Sequence, residues 1–312
     1  MNKSWILPVI IISQFCCTAL WFASNGVMED LIREFALDTS ALGNLTSAVQ
    51  FGFITGTLIF AFFTIADRYS PSKVFFICAI LGALANLGAV WDHNTFGSLF
   101  LFRFATGLFL AGIYPVGMKI ATDYFQKDLG KSLGLLVGAL VVGTALPHLI
   151  KNFFGNLNWK MVILVTSSIA LMGGCLMYIL IPDGPYRRSN QSPDFRAFFQ
   201  VFKHREFRAA AFGYFGHMWE LYTYWAFIPV MLFTYQQIHK NAIDFNIPLT
   251  AFLVIGLGGL GCAIGGHLSI RYGPKKIAAM ALTFSGICCL ISPLAMGQNL
   301  SLIHISEPTR HI

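Results

Sequence analysis

Nine apolar runs of about 20 residues constrain the fold of this chain more than any other feature. Each run can cross about 30 Å of hydrocarbon as a helix, which rises about 1.5 Å per residue. Hydrophobic residues make up 56% of the 312 residues and charged residues only 11%, so a soluble core could not bury this much apolar surface. The predicted spans are residues 5–27, 41–63, 74–92, 97–119, 131–151, 159–181, 208–234, 248–269 and 275–297.

The runs predict an all-α integral membrane protein that folds as a polytopic helical bundle. A backbone in lipid must satisfy its hydrogen bonds within the segment, and the runs lack the strict alternation of barrel strands. The first run is too long for the core of a signal peptide, and no small-residue cleavage pattern precedes the acidic sequence MEDLIREF. We therefore expect the first run to remain in the membrane.

Positively charged residues predict that the N-terminus lies in the cytoplasm. With this orientation, 15 Lys and Arg residues lie on the cytoplasmic side and four on the opposite side. The four are Arg33, Lys151, Lys160 and Lys240. The net charge of +7 is thus a topology signal spread over several loops, which argues against binding to nucleic acid. We expect a multi-pass protein of the inner or plasma membrane.

A repeated basic turn divides the chain into two related halves. ADRYSPSKVFF, residues 66–76, recurs 203 positions later as SIRYGPKKIAA, residues 269–279, and each copy lies between the second and third spans of its half. A tandem duplication of a six-helix unit would produce this arrangement. Residues 1–181 are predicted to form a six-helix bundle, residues 182–207 a cytoplasmic linker, and residues 208–297 a partial second bundle of three helices.

The end of the chain differs in character from the spans. Residues 298–312 are polar, and the stretch SLIHISEPTR within them resembles a translated sequencing adapter. We expect this segment to be a non-native tail on a chain truncated after the third helix of its second half. Such a chain is expected to insert into a membrane but not to transport, because half of a cavity wall would be missing.

The two turns share residues with one family signature, which reads roughly G-x-L-A-D-R-x-G-R-R/K. The shared residues are Ala66, Asp67, Arg68 and Lys73 in the first copy, and Gly266, Leu268, Arg271, Gly273, Lys275 and Lys276 in the second. The departures are Phe63 and Ser70 in place of glycines, and Ile270 in place of the acid. The chain thereby resembles the major facilitator superfamily of twelve-helix secondary transporters, from Lys3 to about Gln298. This resemblance implies two six-helix halves, with about nine helices present, and transport of a small solute by alternating access.

The turn residues Asp67, Arg68, Lys73 and Arg271 are gating candidates under this resemblance. Asp67 follows the second span, where it can pair with basic groups or with the positive N-terminus of a neighbouring helix. Such pairing would close the inner mouth of the carrier in one state and release it in the other. The alternative is that the basic residues only anchor the topology.

Ionisable residues inside spans are candidates for a central cavity, because a charge at the bilayer centre costs at least about 2.5 kcal/mol. Arg103 lies in the fourth span, on one face with Gly107 and Tyr114. It resembles the family's arginine that is linked to proton or substrate coupling. The alternative is that Arg103 only extends to the outer interface of the membrane.

The seventh span carries a polar stripe that includes His217, Glu220 and Tyr224. Trp21 and Asn25 have matching spacing in the first span. Because the first, fourth and seventh spans line the central cavity in the resembled family, we expect these residues to converge there. Glu220 is predicted to carry the coupling proton and His217 to tune it. The alternative is a permanent ion pair between Glu220 and the arginine of the fourth span.

No pattern in the chain predicts a metal, a cofactor or a catalytic centre. The seven cysteines all lie within spans, without a CxxC pair or a histidine at metal spacing. GLGGLG, residues 256–261, matches a dinucleotide pattern, but it lies in an apolar span with no strand before it. Its glycines instead predict a close approach between helices, with Gly261 and Gly265 at the required spacing. The chain also lacks HExxH, GxSxG and Walker motifs.

The predicted function is secondary active transport of a small solute, coupled to protons. We expect the partners to be the solute, protons and the lipid bilayer, and we expect the carrier to act as a monomer. Two alternatives remain open at this point. They are a membrane sensor or receptor derived from a transporter, and a membrane-embedded enzyme.

Overall fold

The computed structural model describes residues 5–125, 129–154, 158–187, 200–239 and 244–296, and these ranges contain helices and turns but no strand. The predicted tail, residues 298–312, lies outside them. The helices are α1 (Ile6–Thr18), α2 (Met28–Glu34), α3 (Ala41–Phe62), α4 (Ile65–Arg68), α5 (Pro71–Leu87), α6 (Phe96–Leu110), α7 (Tyr114–Tyr124), α8 (Leu129–Phe154), α9 (Lys160–Leu180), α10 (Arg205–Ile238), α11 (Ile247–Tyr272) and α12 (Pro274–Met296). The predicted all-α membrane fold is confirmed.

Within the described ranges, seven helical stretches are long and apolar enough to cross a membrane. They are Ala41–Phe62, Pro71–Val90, Phe96–Tyr124, Leu129–Phe154, Lys160–Leu180, Ile247–Tyr272 and Pro274–Leu294. The first and seventh predicted spans differ from this group. The first contains only the 13-residue apolar helix α1, and the seventh is the 34-residue helix α10, which has a more polar composition.

The first predicted span is interrupted, so the prediction of one continuous helix over residues 5–27 is wrong. Helix α1 ends at Thr18, residues 19–24 form turns, and a short 3-10 helix from Asn25 to Val27 leads into α2. The Thr18 hydroxyl donates to the carbonyl oxygens of Gln14 and Phe15. This kind of contact competes with the regular helical ladder and favours a bend.

The fourth predicted span is also divided, into α6 and α7. Pro115 lies in the first turn of α7 and cannot donate a backbone hydrogen bond, and its ring would clash with the carbonyl four residues earlier. Helix α6 packs closely on α3, because Gly107 has no side chain. A Cβ atom at Gly107 would lie 1.9 Å from the Val49 carbonyl oxygen. The glycine one turn after Arg103 is therefore required by the close contact between α6 and α3.

Two ion pairs fasten the predicted outer side of the first half. Lys160 donates to Asp92 in the turn before α6, and Lys151 at the end of α8 donates to Asp30 in α2. The hydrogen bond and the positive charge of Lys160 lower the pKa of the Asp92 carboxyl. Both lysines belong to the small group that the charge pattern places outside. They connect helices that are distant in the sequence.

Helices α8 and α11 join the two halves through facing glycines. A Cβ atom at Gly134 would lie 2.9 Å from Gly266 Cα and 3.0 Å from the Cys262 carbonyl oxygen. Gly138 faces Gly259 in the same way, at 2.9 Å from its carbonyl oxygen. The close approach expected of α11 is thus present. It uses Gly259 and Gly266, however, and a Cβ atom at Gly261 would meet nothing within 4 Å.

Gly134→Val is expected to destabilise the protein by about 1–3 kcal/mol, because the added side chain would force α8 away from α11. The matched control is Gly261→Val, which makes the same chemical change at a helical position with open space beside it. Thermal unfolding of the purified variants in detergent measures the difference. Equal melting temperatures for the two variants would contradict the close contact.

Candidate functional site

Arg103 lies at the centre of a buried hydrogen-bond network in the first half. Its side chain is only 2% exposed. Nη1 donates to the Leu20 carbonyl oxygen at 3.2 Å and to Asn86 Oδ1 at 3.3 Å, and Nη2 donates to the Trp21 carbonyl oxygen. In a regular helix those two carbonyls would accept from the backbone four residues later. The guanidinium therefore points into the protein, at the interruption of the first span, and not to the outer interface.

Asn86, on α5, extends this network to α9. Its Nδ2 atom donates to Ser167 Oγ at 3.0 Å and to Thr166 Oγ1 at 3.3 Å, both on α9. Arg103 and Asn86 together thus connect α5, α6, α9 and the turns after α1. All of these side chains are buried. The network is an internal support of the first half in this conformation.

Trp21 is the point at which the interrupted first span meets the second half. Its fully buried ring lies 4.6 Å from the ring of Phe53 in α3, and 6.3 Å from that of Tyr114 in α7. On the other side, the ring of Tyr222 in α10 stacks on it at 5.6 Å, with 25° between the planes. The structure thereby brings the predicted site residues Trp21 and Tyr114 together. Asn25 lies apart and donates to Thr46 Oγ1 at 2.8 Å.

The polar stripe of α10 faces α12 and not the first half. Glu220 Oε1 accepts from Ser285 Oγ at 2.6 Å and from Cys289 Sγ at 3.0 Å. Glu220 Oε2 lies 3.6 Å from His217 Nδ1. Arg103 and Glu220 thus have different partners, so the alternative ion pair between them is absent from the described contacts. Tyr224 is 39% exposed.

Two residues at the contact between the halves, Tyr222 and Trp225, were missed by the sequence analysis. Both rings pack on Phe22, at centroid distances of 6.3 and 5.8 Å. Trp225 and Ile228 are buried on this side of α10. The spacing of these apolar residues could have identified a second face of the helix. The polar stripe on the other face of α10 predicted instead that the polar residues would face the first half.

Asp67 lies in a cluster of charges at the predicted cytoplasmic end of the first half. Its Oδ1 atom is 2.8 Å from Lys119 Nζ, which also lies 3.7 Å from Asp123 Oδ1 in the same helix, α7. Arg187 donates to the Asp67 carbonyl oxygen at 3.3 Å and pairs with Asp183 at 2.5 Å. The first residues of the predicted linker therefore pack on the repeated turn. All of these partners belong to the first half and its linker.

The other three gating candidates lie on the surface. Arg68, Lys73 and Arg271 are all exposed. Arg271 lies 5.4 Å from the centre of the neighbouring Tyr272 ring. The structure does not bring them to Asp67, and their gating role stays a prediction.

A comparison with protein families decides the assignment of this fold. The sequence profile described as Major Facilitator Superfamily matches residues 10–306. The chain belongs to the Major Facilitator Superfamily. This family consists of transporters and is not enzymatic, which removes the membrane-embedded enzyme from the alternatives.

Individual proteins are similar to this chain at low identity. An uncharacterised protein of Campylobacter jejuni is 22% identical over 300 residues, covering 91% of this chain and 88% of the relative. A benzoate transport protein of Acinetobacter baylyi is 28% identical over 145 residues, covering 43% of this chain but only 30% of the relative. A crystal structure of the nucleoside transporter NupG gives a TM-score of 0.63 at 15% identity, covering 86% of this chain and 69% of that one. The structural likeness supports the superfamily fold.

Asp67→Asn is expected to slow transport by the full-length superfamily member, and Lys119→Gln is expected to reproduce the effect, because the two side chains pair directly. The loss of stability should stay near 1 kcal/mol or less, since both side chains are about a quarter exposed. Turnover and melting temperature of the single and double variants measure the coupling. Lys131→Gln, at an exposed position near the start of α8, is the control. Unchanged turnover in Asp67→Asn would leave the turn as a topology anchor.

Proposed function

We propose that this superfamily member is a secondary active transporter that moves a small solute by alternating access, coupled to protons. The carboxylate of Glu220 is the observation that supports the coupling. It lies 12 residues into the seventh predicted span, about 18 Å from its start at about 1.5 Å per residue. That position is close to the middle of a membrane, where a negative charge is costly.

The partners of Glu220 favour a proton as its compensating charge. Ser285 and Cys289 are neutral donors, and His217 is charged only when it is protonated. No Lys or Arg of the described ranges lies within ion-pair distance of this carboxylate. The carboxylate becomes neutral when it takes up a proton, and the neighbouring histidine is a second group that can accept one. Such a pair is what a proton-coupled carrier requires.

The contacts between the halves support the alternating-access part of the proposal. The halves meet at α8 and α11 through glycines, and at Trp21 and Tyr222 through stacked rings. Contacts of this kind, without ion pairs between the two halves in the described part of the chain, can slide or separate as helices rock. Glu220 and Tyr222 lie on different faces of the same helix, α10, so a movement of α10 would change the surroundings of both.

The orientation and location remain part of the same proposal. The excess of positive residues supports a cytoplasmic N-terminus, and hence an inner or plasma membrane protein with the Asp67 cluster on the cytoplasmic side. One similar protein is named for the transport of benzoate and one similar structure for the transport of nucleosides, and these two solutes differ in charge and size. They support a small-molecule solute without defining which one.

Uptake by the full-length carrier in liposomes tests the proposal. A panel of labelled acids, sugars, amino acids and nucleosides is offered with and without an imposed pH gradient, while a pH dye inside the liposomes reports proton movement. We expect one class of solute to accumulate only with the gradient, together with a proton flux. A solute that binds without saturable uptake would instead favour the sensor alternative. Uptake that is equal with and without the gradient would remove the proton from the proposal.

A further inference from the structure

Three hydrogen-bonding atoms near the contact between the halves are buried without a partner. They are Trp21 Nε1 and the two amide atoms of Gln14, Nε2 and Oε1, and both side chains are fully buried. An unsatisfied buried polar group costs about 1–3 kcal/mol, so most such groups in proteins are paired. Among the described residues of this chain, nothing satisfies these atoms. Their arrangement favours a partner from outside the chain.

Gln14 and Trp21 lie on one side of α7. A Cβ atom at Gly117 would lie 2.2 Å from Gln14 Oε1, and Tyr114, one turn before Gly117, contacts the Trp21 ring. Gln14 lies in α1, whereas Trp21 follows in the turns after it, and both side chains contact the same side of α7. They can therefore hydrogen-bond to separate polar atoms of one small molecule.

Aromatic rings surround Trp21 on the remaining sides. Phe53 packs at 4.6 Å, and Tyr222 stacks on the indole at 5.6 Å. Tyr222 belongs to α10, in the other half, whereas Phe53 and Tyr114 belong to the same half as Trp21. When the halves separate, the face of Trp21 that Tyr222 covers would become available to another planar ring.

Within the described part of the chain, no charged side chain takes part in this cluster. Arg103 lies next to it, but its guanidinium donates to the carbonyl oxygens of Leu20 and Trp21 and to Asn86. Glu220 faces α12. The groups offered to a ligand are thus a neutral N–H donor, a neutral amide and aromatic faces, which match an uncharged solute better than an ion.

We propose that the cluster of Gln14, Trp21, Tyr114 and Tyr222 binds an uncharged planar aromatic solute that carries a polar edge. The ring of the solute takes up the space of Tyr222 beside Trp21, and its polar edge reaches past the rim of the indole to accept from Trp21 Nε1 and to bond to the Gln14 amide. The inference names a substrate class for the transporter proposed above and rests on that proposal only in taking the ligand as the transported solute.

Equilibrium binding of three small probes to the purified carrier tests the proposed class without a gradient. Benzamide is planar, aromatic and neutral, cyclohexanecarboxamide keeps the amide but loses the aromatic ring, and benzoate at about pH 8 is aromatic but charged. Calorimetry is expected to show that benzamide binds about three- to tenfold more tightly than cyclohexanecarboxamide, and more tightly than benzoate. Equal affinities, the reverse order, or no binding of benzamide would overturn the proposal.

Variants of the cluster locate the probe. Trp21→Phe keeps a ring but removes the N–H group, and Gln14→Met keeps the length but removes the amide, so each is expected to weaken benzamide about three- to tenfold. Trp219→Phe, at a position 81% exposed, is the matched control and should leave the affinity unchanged. Unaltered affinity in folded Trp21→Phe and Gln14→Met would overturn the site. Benzamide binding without gradient-driven uptake would retain the site and contradict only the transport proposal.

Discussion

Glu220→Gln is expected to abolish uptake driven by a pH gradient in the full-length carrier while solute exchange at equilibrium continues. Glutamine is permanently neutral, so it cannot take up and release the proton that links the gradient to the solute. It retains the shape of the side chain and can still accept from Ser285 Oγ and Cys289 Sγ. Parallel measurements of driven uptake and of exchange in liposomes separate coupling from the transport step.

A matched control and two opposite outcomes sharpen this test. Glu206→Gln makes the same change in the same helix. The Glu206 side chain is 88% exposed, and its ion pair with Lys275 Nζ at 3.8 Å lies in solvent, so this variant should retain both activities. A fall in folded yield with loss of both activities in Glu220→Gln would make the carboxylate a structural group. Surviving driven uptake would place the coupling proton on another group.

His217 should modify the pH response of the same site. Its Nδ1 atom lies 3.6 Å from Glu220 Oε2, close enough for the charge of one group to act on the other. His217→Gln removes the second proton acceptor and is expected to shift the pH at which driven uptake is half-maximal, with uptake itself retained. An unchanged pH profile would separate His217 from the coupling.

Arg103→Met is expected to destabilise the carrier by about 3 kcal/mol or more, in the absence of any solute. The substitution leaves the carbonyl oxygens of Leu20 and Trp21 and the Asn86 amide oxygen without their donor. Hydrogen bonds to charged groups contribute about 1.5–3 kcal/mol each, and buried acceptors left unpaired are costly. Arg103→Lys should recover only part of the stability, because a single ammonium group cannot reproduce the planar fork that reaches three acceptors.

Thermal unfolding and folded yield in detergent measure this effect. Arg33→Met is the control, since the Arg33 side chain is 81% exposed and pairs with Asp30 at 3.0 Å on the protein surface. If Arg103→Met has a normal melting temperature but a lower affinity for the solute, the structural role is contradicted. That result would indicate that Arg103 binds the solute. A loss of stability in both variants, larger in Arg103→Met than in Arg103→Lys, would support the role of Arg103 in the hydrogen-bond network.

Residues that are close in sequence account for much of what could be predicted. Runs of apolar residues determine that the chain spans a membrane, because their length matches the hydrocarbon thickness whatever the partners are. The division of the fourth span follows from Pro115, since the cost of a proline inside a helix is local. The depth of Glu220 in the seventh span likewise follows from the number of residues that separate it from the start of the span.

Partners that lie far apart in sequence could be decided only by the tertiary structure. Arg103 bonds to carbonyls 82 and 83 positions away, and backbone carbonyls carry no sequence signal. Helix α10 has both a polar face and an apolar face. Its periodicity defines both equally well, and packing alone placed Tyr222 against Trp21 and turned Glu220 toward Ser285. The local pattern fixes the faces of a helix, whereas the choice of neighbour depends on the shape of every helix around it.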